Sequence, residues 1–381
     1  VAIVVTTIGD GSFLNALRPV LELSAGSFNV IVVGDLKTPP SCAEAVARFK
    51  SEGFSVTWFG PDEQREWLKQ VPGFEPFLPW NSDNRRNLGV LEAWRQGDEV
   101  IISLDDDNAP LDAAEFVKLY GDMGGVLRGP EVQSDNRWIN LCAFLECKSS
   151  YDDSPVTIYP RGYPIERRGT DHTRLTENET SASIALHLGL WIGEPDVDAA
   201  TRASVAPRTD ACKVPAPILA PLGALAPLST QNMAVARRLV PAWWNVKMGY
   251  DLGGFRLQRF ADMLQGYFAL MAMAAMGDRM AIGPPLVDHY RNAHSLFIDL
   301  AGELPGMSLL ESLLPLLEEP LPPAPDYAAS YLNIADRLRK WAKETTVTLW
   351  GDHLTEWADT TARGMEEWVT ACRVLDPNNH S

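Results

Sequence analysis

The chain has 381 residues, 46% of them hydrophobic, with 28 Gly and 28 Pro scattered along it and a formal net charge of −17 from 50 acidic and 33 basic side chains. Normal apolar content excludes disorder, collagen and coiled coil, and so negative a chain repels a phosphate backbone, which excludes non-specific nucleic-acid binding. A phosphate-bearing substrate would therefore need a local basic patch or a metal.

In chain order, Ala2–Thr6 is a β-branched apolar run turned by Gly9-Asp10-Gly11-Ser12, and Phe13, Leu14, Leu17 and Leu21 follow at helical spacing. Asn29–Val33 reads as a second strand, Ala43, Val46 and Phe49 as a helix face, and Val56–Phe59 as a third strand. Arg85–Gln96 reads as a helix stopped at Gly97, and Val100–Leu104 as a strand running into Asp105-Asp106-Asp107. Continuous apolar strands alternating with helices imply a parallel sheet covered on both faces, a doubly wound Rossmann-like half. From about Gly129 to Pro227 the periodicity weakens, which reads as long substrate loops. Helical patterning returns at Thr230–Leu239 and Gln258–Met276. Pro320–Pro325 reads as a linker before an amphipathic helix through Tyr331, Leu332, Ala335, Leu338 and Trp341. The tryptophans of the tail, Trp350, Trp357 and Trp368, imply packing onto the body or a partner and allow a homo-oligomer.

The five cysteines lack a repeated CxxC spacing and fit a reduced, cytoplasmic compartment better than a secreted disulfide framework. The first residues lack the basic start and cleavage site of a signal peptide, and no apolar run reaches the roughly 18 residues of a membrane span.

The strongest chemical signal is Asp105-Asp106-Asp107 at the carboxyl end of a buried strand. Three adjacent carboxylates repel one another, and a divalent cation, Mg²⁺ or Mn²⁺, shared with a diphosphate would keep them ionised. The alternative is a solvated acidic turn capping a helix begun at Asn108-Ala109-Pro110. Asn84-Arg85-Arg86-Asn87 opens the preceding helix, where a helix N-terminus with arginines can cradle phosphate, or serve as an ordinary cap. Arg161, Arg167 and Arg168 form a positive loop punctuated by Pro and Gly, suited to a diphosphate leaving group or simply solvated. His289 and His294 flank Tyr290-Arg291-Asn292, and either would complete a mixed N/O metal shell with Asp107. Asp35 and Lys37, after the second strand, are expected base or ribose contacts. No GxSxG, HExxH, P-loop or GxGxxG occurs.

Taken together these motifs resemble those of the reversibly glycosylated polypeptides, which include the plant UDP-arabinopyranose mutases, within the GT-A type glycosyltransferases. The resemblance rests on Leu104–Asp107, Arg161-Gly162-Tyr163-Pro164 with the later Arg168, and Gly189-Leu190-Trp191 followed by Pro195-Asp196 and Asp198-Ala199. It continues through Asn232-Met233-Ala234, Arg259-Phe260-Ala261-Asp262-Met263 and Asp288-His289, in the family's order. It implies a GT-A α/β domain over residues 1–319, with a nucleotide-binding half at 1–128 and an acceptor or sugar half at 129–319. The linker at 320–326 and the helical C-terminal extension at 327–381, read from the sequence itself, are extra relative to what that family implies. The resemblance implies a nucleoside diphosphate sugar donor held through Mn²⁺ (or Mg²⁺), with Asp105 and Asp107 as leading metal ligands beside His289 and His294. Thr6, Thr7, Arg86, Asn87, Asp106, Trp191 and Asn232 join Asp35 and Lys37 as expected nucleotide-sugar contacts. Reversible self-glycosylation in the family maps to Arg161, with Arg168 as a second important arginine and Asp262 as the acidic residue of the later motif. One carboxylate of the family's paired acidic motif is replaced here by Ala261.

Three readings follow. Transfer of the sugar to a separate small-molecule or polypeptide acceptor ranks first, with Asp262 positioning or deprotonating the acceptor. Interconversion of ring forms of a UDP-sugar is the alternative, and a nucleotide-sugar-binding scaffold without turnover is the third.

Overall fold

The computed structural model describes residues 1–290, 295–345, 350–351 and 353–376. Strands β1 (Ala2–Thr7), β2 (Asn29–Gly34), β3 (Val56–Phe59) and β4 (Val100–Leu104) lie parallel in the order β3-β2-β1-β4. Helices α1 (Phe13–Leu23), α2 (Pro40–Ser51), α3 (Pro61–Leu68) and α4 (Arg86–Gln96) connect them. The β-branched runs of β1, β2 and β4 are buried on both faces, as a sheet sandwiched between helices requires. Gly89 lets α4 sit directly on β1, because a Cβ there would collide with Val4.

Asn108–Pro110 does not begin a helix. It forms a short strand, β5, and the next helix, α5 (Ala113–Gly121), is capped by Asp112, whose carboxylate accepts from the Ala114 and Glu115 N–H groups. The aspartate triplet is thus not that helix's cap, which removes the alternative reading of the triplet as a capping turn.

The segment expected to be loops is largely strand. β6 (Val126–Gln133), β7 (Leu145–Ser149), β8 (Arg174–Gly193), helix α6 (Ala199–Val205), β9 (Pro207–Cys212) and β10 (Ile218–Leu219) occupy it. The outer part of β8 pairs with β6 as a largely exposed ribbon, so neither face carries the apolar alternation that marks a strand. Its inner part, Ile184–Trp191, is buried in the main sheet.

Residues 232–236 form a strand, β11 (Asn232–Ala236), followed by a 3-10 turn over Arg237–Ala242, where the sequence pattern implies a helix. A short run buried on both sides has no period that separates the two states. β11 joins β4 antiparallel, with Asn232 opposite Leu104, and β8 lies on its other side. After the small hairpin β12 (Tyr250–Asp251) and β13 (Arg256–Leu257), helix α7 (Ala261–Met276) leads into β14 (Arg279–His289). β14 runs parallel to β8 and pairs antiparallel with β5, setting His289 opposite Asn108. That register carries an imidazole to the aspartate triplet.

Helix α8 (Leu296–Glu318) packs on α6, and α9 (Tyr327–Glu344) and α10 (His353–Leu375) form an antiparallel pair against α4, α7 and the 3-10 turns. Trp357 and Trp368 are buried, and the Trp368 indole donates to the Val240 carbonyl at 2.8 Å. A tryptophan buried this fully removes on the order of 200 Å² from water. The tail tryptophans therefore face this chain's own core. The architecture is α/β, with a parallel Rossmann-like half and a helical C-terminal part, as the sequence implies. No described helix is long and apolar enough to cross a membrane.

Candidate functional site

The register of β1 against β4, with Val4 opposite Ser103, brings Thr6 and Thr7 level with the aspartate triplet at the carboxyl edge of the parallel strands. Open α/β sheets bind ligands at this edge. Two cavities meet there. The larger, about 400 Å³, is lined by Asp83, Arg86, Asp105, Asp107, Arg161, Asp196, Thr230, Gln231, Arg259, Asp262 and His289. The smaller, about 250 Å³, includes Thr6, Thr7, Asp35, Ser82, Asp83, Arg85 and Asp106 in its wall.

On the β4 side, Arg86 is buried and donates to Ser103, to the Thr230 carbonyl at 2.8 Å, to Thr6 at 3.1 Å and to the Asp105 carboxylate. Asp106 accepts from the Thr7 hydroxyl at 2.5 Å. Burial raises the pKa of Asp106 against that hydrogen bond, and Asp105 and Asp107 raise it further. His289 Nδ1 lies 2.7 Å from the Glu194 carbonyl, which can only accept, so Nδ1 carries the proton and Nε2 is turned toward Asp107 Oδ2, 3.8 Å away. Burial opposes protonation of His289, but the Asp107 carboxylate outweighs it and raises the pKa.

On the α7 side, Arg161 is buried between two carboxylates. Its Nε and Nη2 reach Asp196 at 3.0 and 3.2 Å, its Nη2 and Nη1 reach Asp262 at 2.6 and 3.3 Å, and Nη1 also donates to the Arg259 carbonyl at 2.7 Å. All five N–H groups are engaged. Burial opposes the charge of Arg161, yet the two aspartates outweigh it and its pKa stands above the usual arginine value. Gly162 makes this fit possible, since it has φ +81° and a Cβ there would meet the Met263 sulfur at 2.5 Å. The RGYP turn and the start of α7 are thereby pressed together, which is how Arg161 meets Asp262.

Among the described residues, five aspartates and three arginines share the larger cavity. That excess of negative charge would repel a diphosphate unless a cation accompanied it. Among the described residues no group of three or more His, Cys, Asp and Glu side chains is placed to hold a metal ion. The donor chemistry fits a divalent cation in a narrower form: a carboxylate oxygen of Asp107 faces an imidazole nitrogen whose partner N–H is tied to a carbonyl, as metal-binding histidines are.

Residues 156–377 match the model of the family described as reversibly glycosylated polypeptide. The chain belongs to that family. A probable UDP-arabinopyranose mutase 2 from Solanum tuberosum is 27% identical over 220 residues, 58% of this chain and 54% of the relative. UDP-arabinopyranose mutase 3 of Arabidopsis thaliana is 27% identical over 222 residues, 57% of this chain and 54% of its own length. The chain thus spans about half the length of the curated relatives it matches. A solved structure of S. aureus TarS, residues 1–349, superposes with a TM-score of 0.35 at 12% identity, over 97% of this chain and 89% of that one, a likeness too loose to bear on function.

Of the residues expected from the sequence, Asp105, Asp107, Arg86, Arg161, Asp262 and His289 meet on the larger cavity, and Thr6, Thr7, Asp35 and Asp106 on the smaller. Asp35 is buried, with its carboxylate accepting from the Leu36 and Ser82 N–H groups. Others are placed elsewhere. Asn87 is buried and exchanges hydrogen bonds with Asn245. Asn232 accepts from Tyr120 and donates to the Leu190 and Pro285 carbonyls, and Trp191 is enclosed in β8. These three frame the sheet beneath the cavities, and their contacts leave none of them on a cavity wall. Lys37 is exposed and lines neither cavity. Arg168 pairs with Asp198 at 2.8 Å and is not among the residues lining the larger cavity. Of the expected metal ligands, Asp105 has one oxygen held by Arg86, Asp107 and His289 face each other at the cavity, and His294 lies outside the described residues.

Asp83, Asp196, Thr230, Gln231 and Arg259 line the larger cavity without having been expected there. Asp196 and Arg259 sit inside family motifs and were thus within reach. Asp83 carries no local signal.

Proposed function

We propose that this chain is a UDP-sugar mutase that interconverts ring forms of its substrate within one closed site. The observation that carries the reading is the meeting of Arg161, Asp196 and Asp262 with Asp105 and Asp107 on one cavity, joined through Asp83 to a second cavity of nucleoside size. The names of the relatives favour a mutase over transfer to a separate acceptor.

In this reading the smaller cavity takes the nucleoside, with Asp35 accepting a hydroxyl or ring N–H and Thr6 and Thr7 closing the phosphate side. Asp107 and His289 would hold a divalent cation, which when bound offsets the charge of the diphosphate. The bond between the anomeric carbon and the phosphate oxygen breaks with both electrons leaving on the nucleotide. An Arg161 nitrogen bonds to that carbon and gives its proton to Asp262, 2.6 Å away. An arginine held by two carboxylates keeps its proton until that bond forms. The ring C–O bond then breaks as the Arg161 nitrogen forms a double bond to the anomeric carbon, and the freed ring oxygen takes the proton from Asp262. A different sugar hydroxyl adds to that carbon and returns its proton to Asp262. The nucleotide returns to the anomeric carbon, and Arg161 recovers its proton.

A second reading, transfer to a separate acceptor, is favoured by a further cavity of about 330 Å³ lined by Ser12, Phe13, Asp106, Asp107 and Tyr290, beside the same aspartates. One assay separates them. The protein is incubated with Mn²⁺ and a panel of UDP-sugars, and free UDP and ring form are followed by chromatography. A new UDP-sugar peak without net UDP release is the expected result. UDP release that depends on an added acceptor overturns the mutase in favour of transfer.

A further inference from the structure

Among the described residues three arginines line the larger cavity, and they differ in what their N–H groups already hold. Arg161 spends all five on Asp196, Asp262 and the Arg259 carbonyl. Arg86 spends its four terminal N–H groups on Ser103, Thr230, Thr6 and Asp105. Arg259 is different. Its Nη1 lies 2.9 Å from Asp299, and its Nε is buried 3.5 Å from Glu303 without a formed hydrogen bond. Its side chain is about one-third exposed, whereas that of Arg161 is 10% exposed.

The backbone at Arg259 is unusual for the same reason that the side chain is available. It has φ +58°, a conformation rare outside glycine. Two contacts hold it there: its carbonyl accepts from Arg161 Nη1 at 2.7 Å, and the following Phe260 packs against Gly306 so closely that a Cβ would collide with its ring. Asp299, Gly302, Glu303 and Gly306 recur at the spacing of one face of α8. The two acids grip the guanidinium, while a Cβ at Gly302 would crowd the Arg259 stem at 3.2 Å. This face of α8 is a cradle that aims one cation with an N–H to spare into a cavity rich in carboxylates.

We propose that Arg259 binds the diphosphate, contacting the sugar-side phosphate group that leaves with the nucleotide, and that Asp299 and Glu303 are its positioning residues. The proposal rests on the UDP-sugar reading above. A planar guanidinium offers phosphate two parallel N–H groups, which a lysine does not.

The test titrates UDP, UMP and uridine into the protein with Mn²⁺ by calorimetry. Arg259→Lys keeps the charge facing Asp299 and Glu303. The double variant Arg259→Gln/Glu303→Gln removes the cation together with one of its acids, should a lone neutral replacement fail to fold. UDP affinity is expected to fall about 10- to 100-fold in either variant, as for loss of a charge-assisted pair, with UMP and uridine within twofold of the native chain. UDP affinity within twofold of native overturns the proposal, as does an equal loss for UMP, which would mark a merely structural residue. A native chain that binds UDP no better than uridine overturns the UDP-sugar reading itself, and this proposal with it.

Discussion

On the β4 side of the cavity, three successive aspartates face one arginine, one threonine and one histidine, and the Asp107–His289 pair is set apart by 3.8 Å. On the α7 side, Asp196 and Asp262 enclose Arg161 so completely that every N–H finds an oxygen. The first wall has carboxylate oxygens to offer a cation. The second has settled its charges internally and holds the Arg161 guanidinium in a fixed orientation. Crowded carboxylates are thus handled in two ways in one site, and the cost of losing one should differ accordingly.

The largest expected effect breaks the second wall. Asp262→Ala leaves a buried guanidinium short of a partner and should destabilise the chain by about 3–5 kcal/mol, the usual loss when half a buried pair is removed. Chemical denaturation measures it, and a loss below about 1 kcal/mol would show Arg161 to be far better solvated than its surroundings imply. Next comes acid. His187, on β8 beneath both walls, is buried without a partner for Nε2, and burial pushes its pKa down to about 4 from the ordinary 6.5. The unfolded chain therefore takes up a proton that the folded chain refuses, so stability present above pH 6.5 is lost as the pH falls toward 4, by up to about 3 kcal/mol. A His187→Gln variant with the same acid slope would assign that loss to other groups.

Arg161→Lys sharpens the comparison at the level of chemistry. It should still bind UDP yet lose turnover by at least about 100-fold, because a lysine cannot span two carboxylates and keep its nitrogen in place. Unchanged turnover would remove the RGYP turn from the reaction. Asp107→Ala, on the first wall, should shift stability least, by about 0.5 kcal/mol or less, while abolishing Mn²⁺-dependent UDP binding. A collapse in melting temperature would instead make the triplet a structural device.

How much of this was legible differs along the chain. Val56–Phe59 and Val100–Leu104 are strands with the ends their apolar runs mark, and Arg86–Gln96 is a helix stopped at a left-handed Gly97. Each carries its signal locally, in a run or a cap. Residues 232–236 misled because a central strand buried on both faces has no face to alternate with. β8 was hidden for the opposite reason, since its ribbon half is exposed on both faces. In the site, the aspartate triplet and Arg161 stood out from their neighbours as charges in ordered motifs. Asp83 did not, because what makes it matter is which cavity it lines.

The amino-acid order by itself determined the parallel half, the position of the triplet at its edge and the family, because burial patterns and motif order are properties of contiguous residues. Which arginine is saturated, which is available, and which acids face them was decided only when residues 98 to 144 positions apart were brought within hydrogen-bonding distance. Charge balance in a low-dielectric site depends on those distances, and no window of sequence contains them.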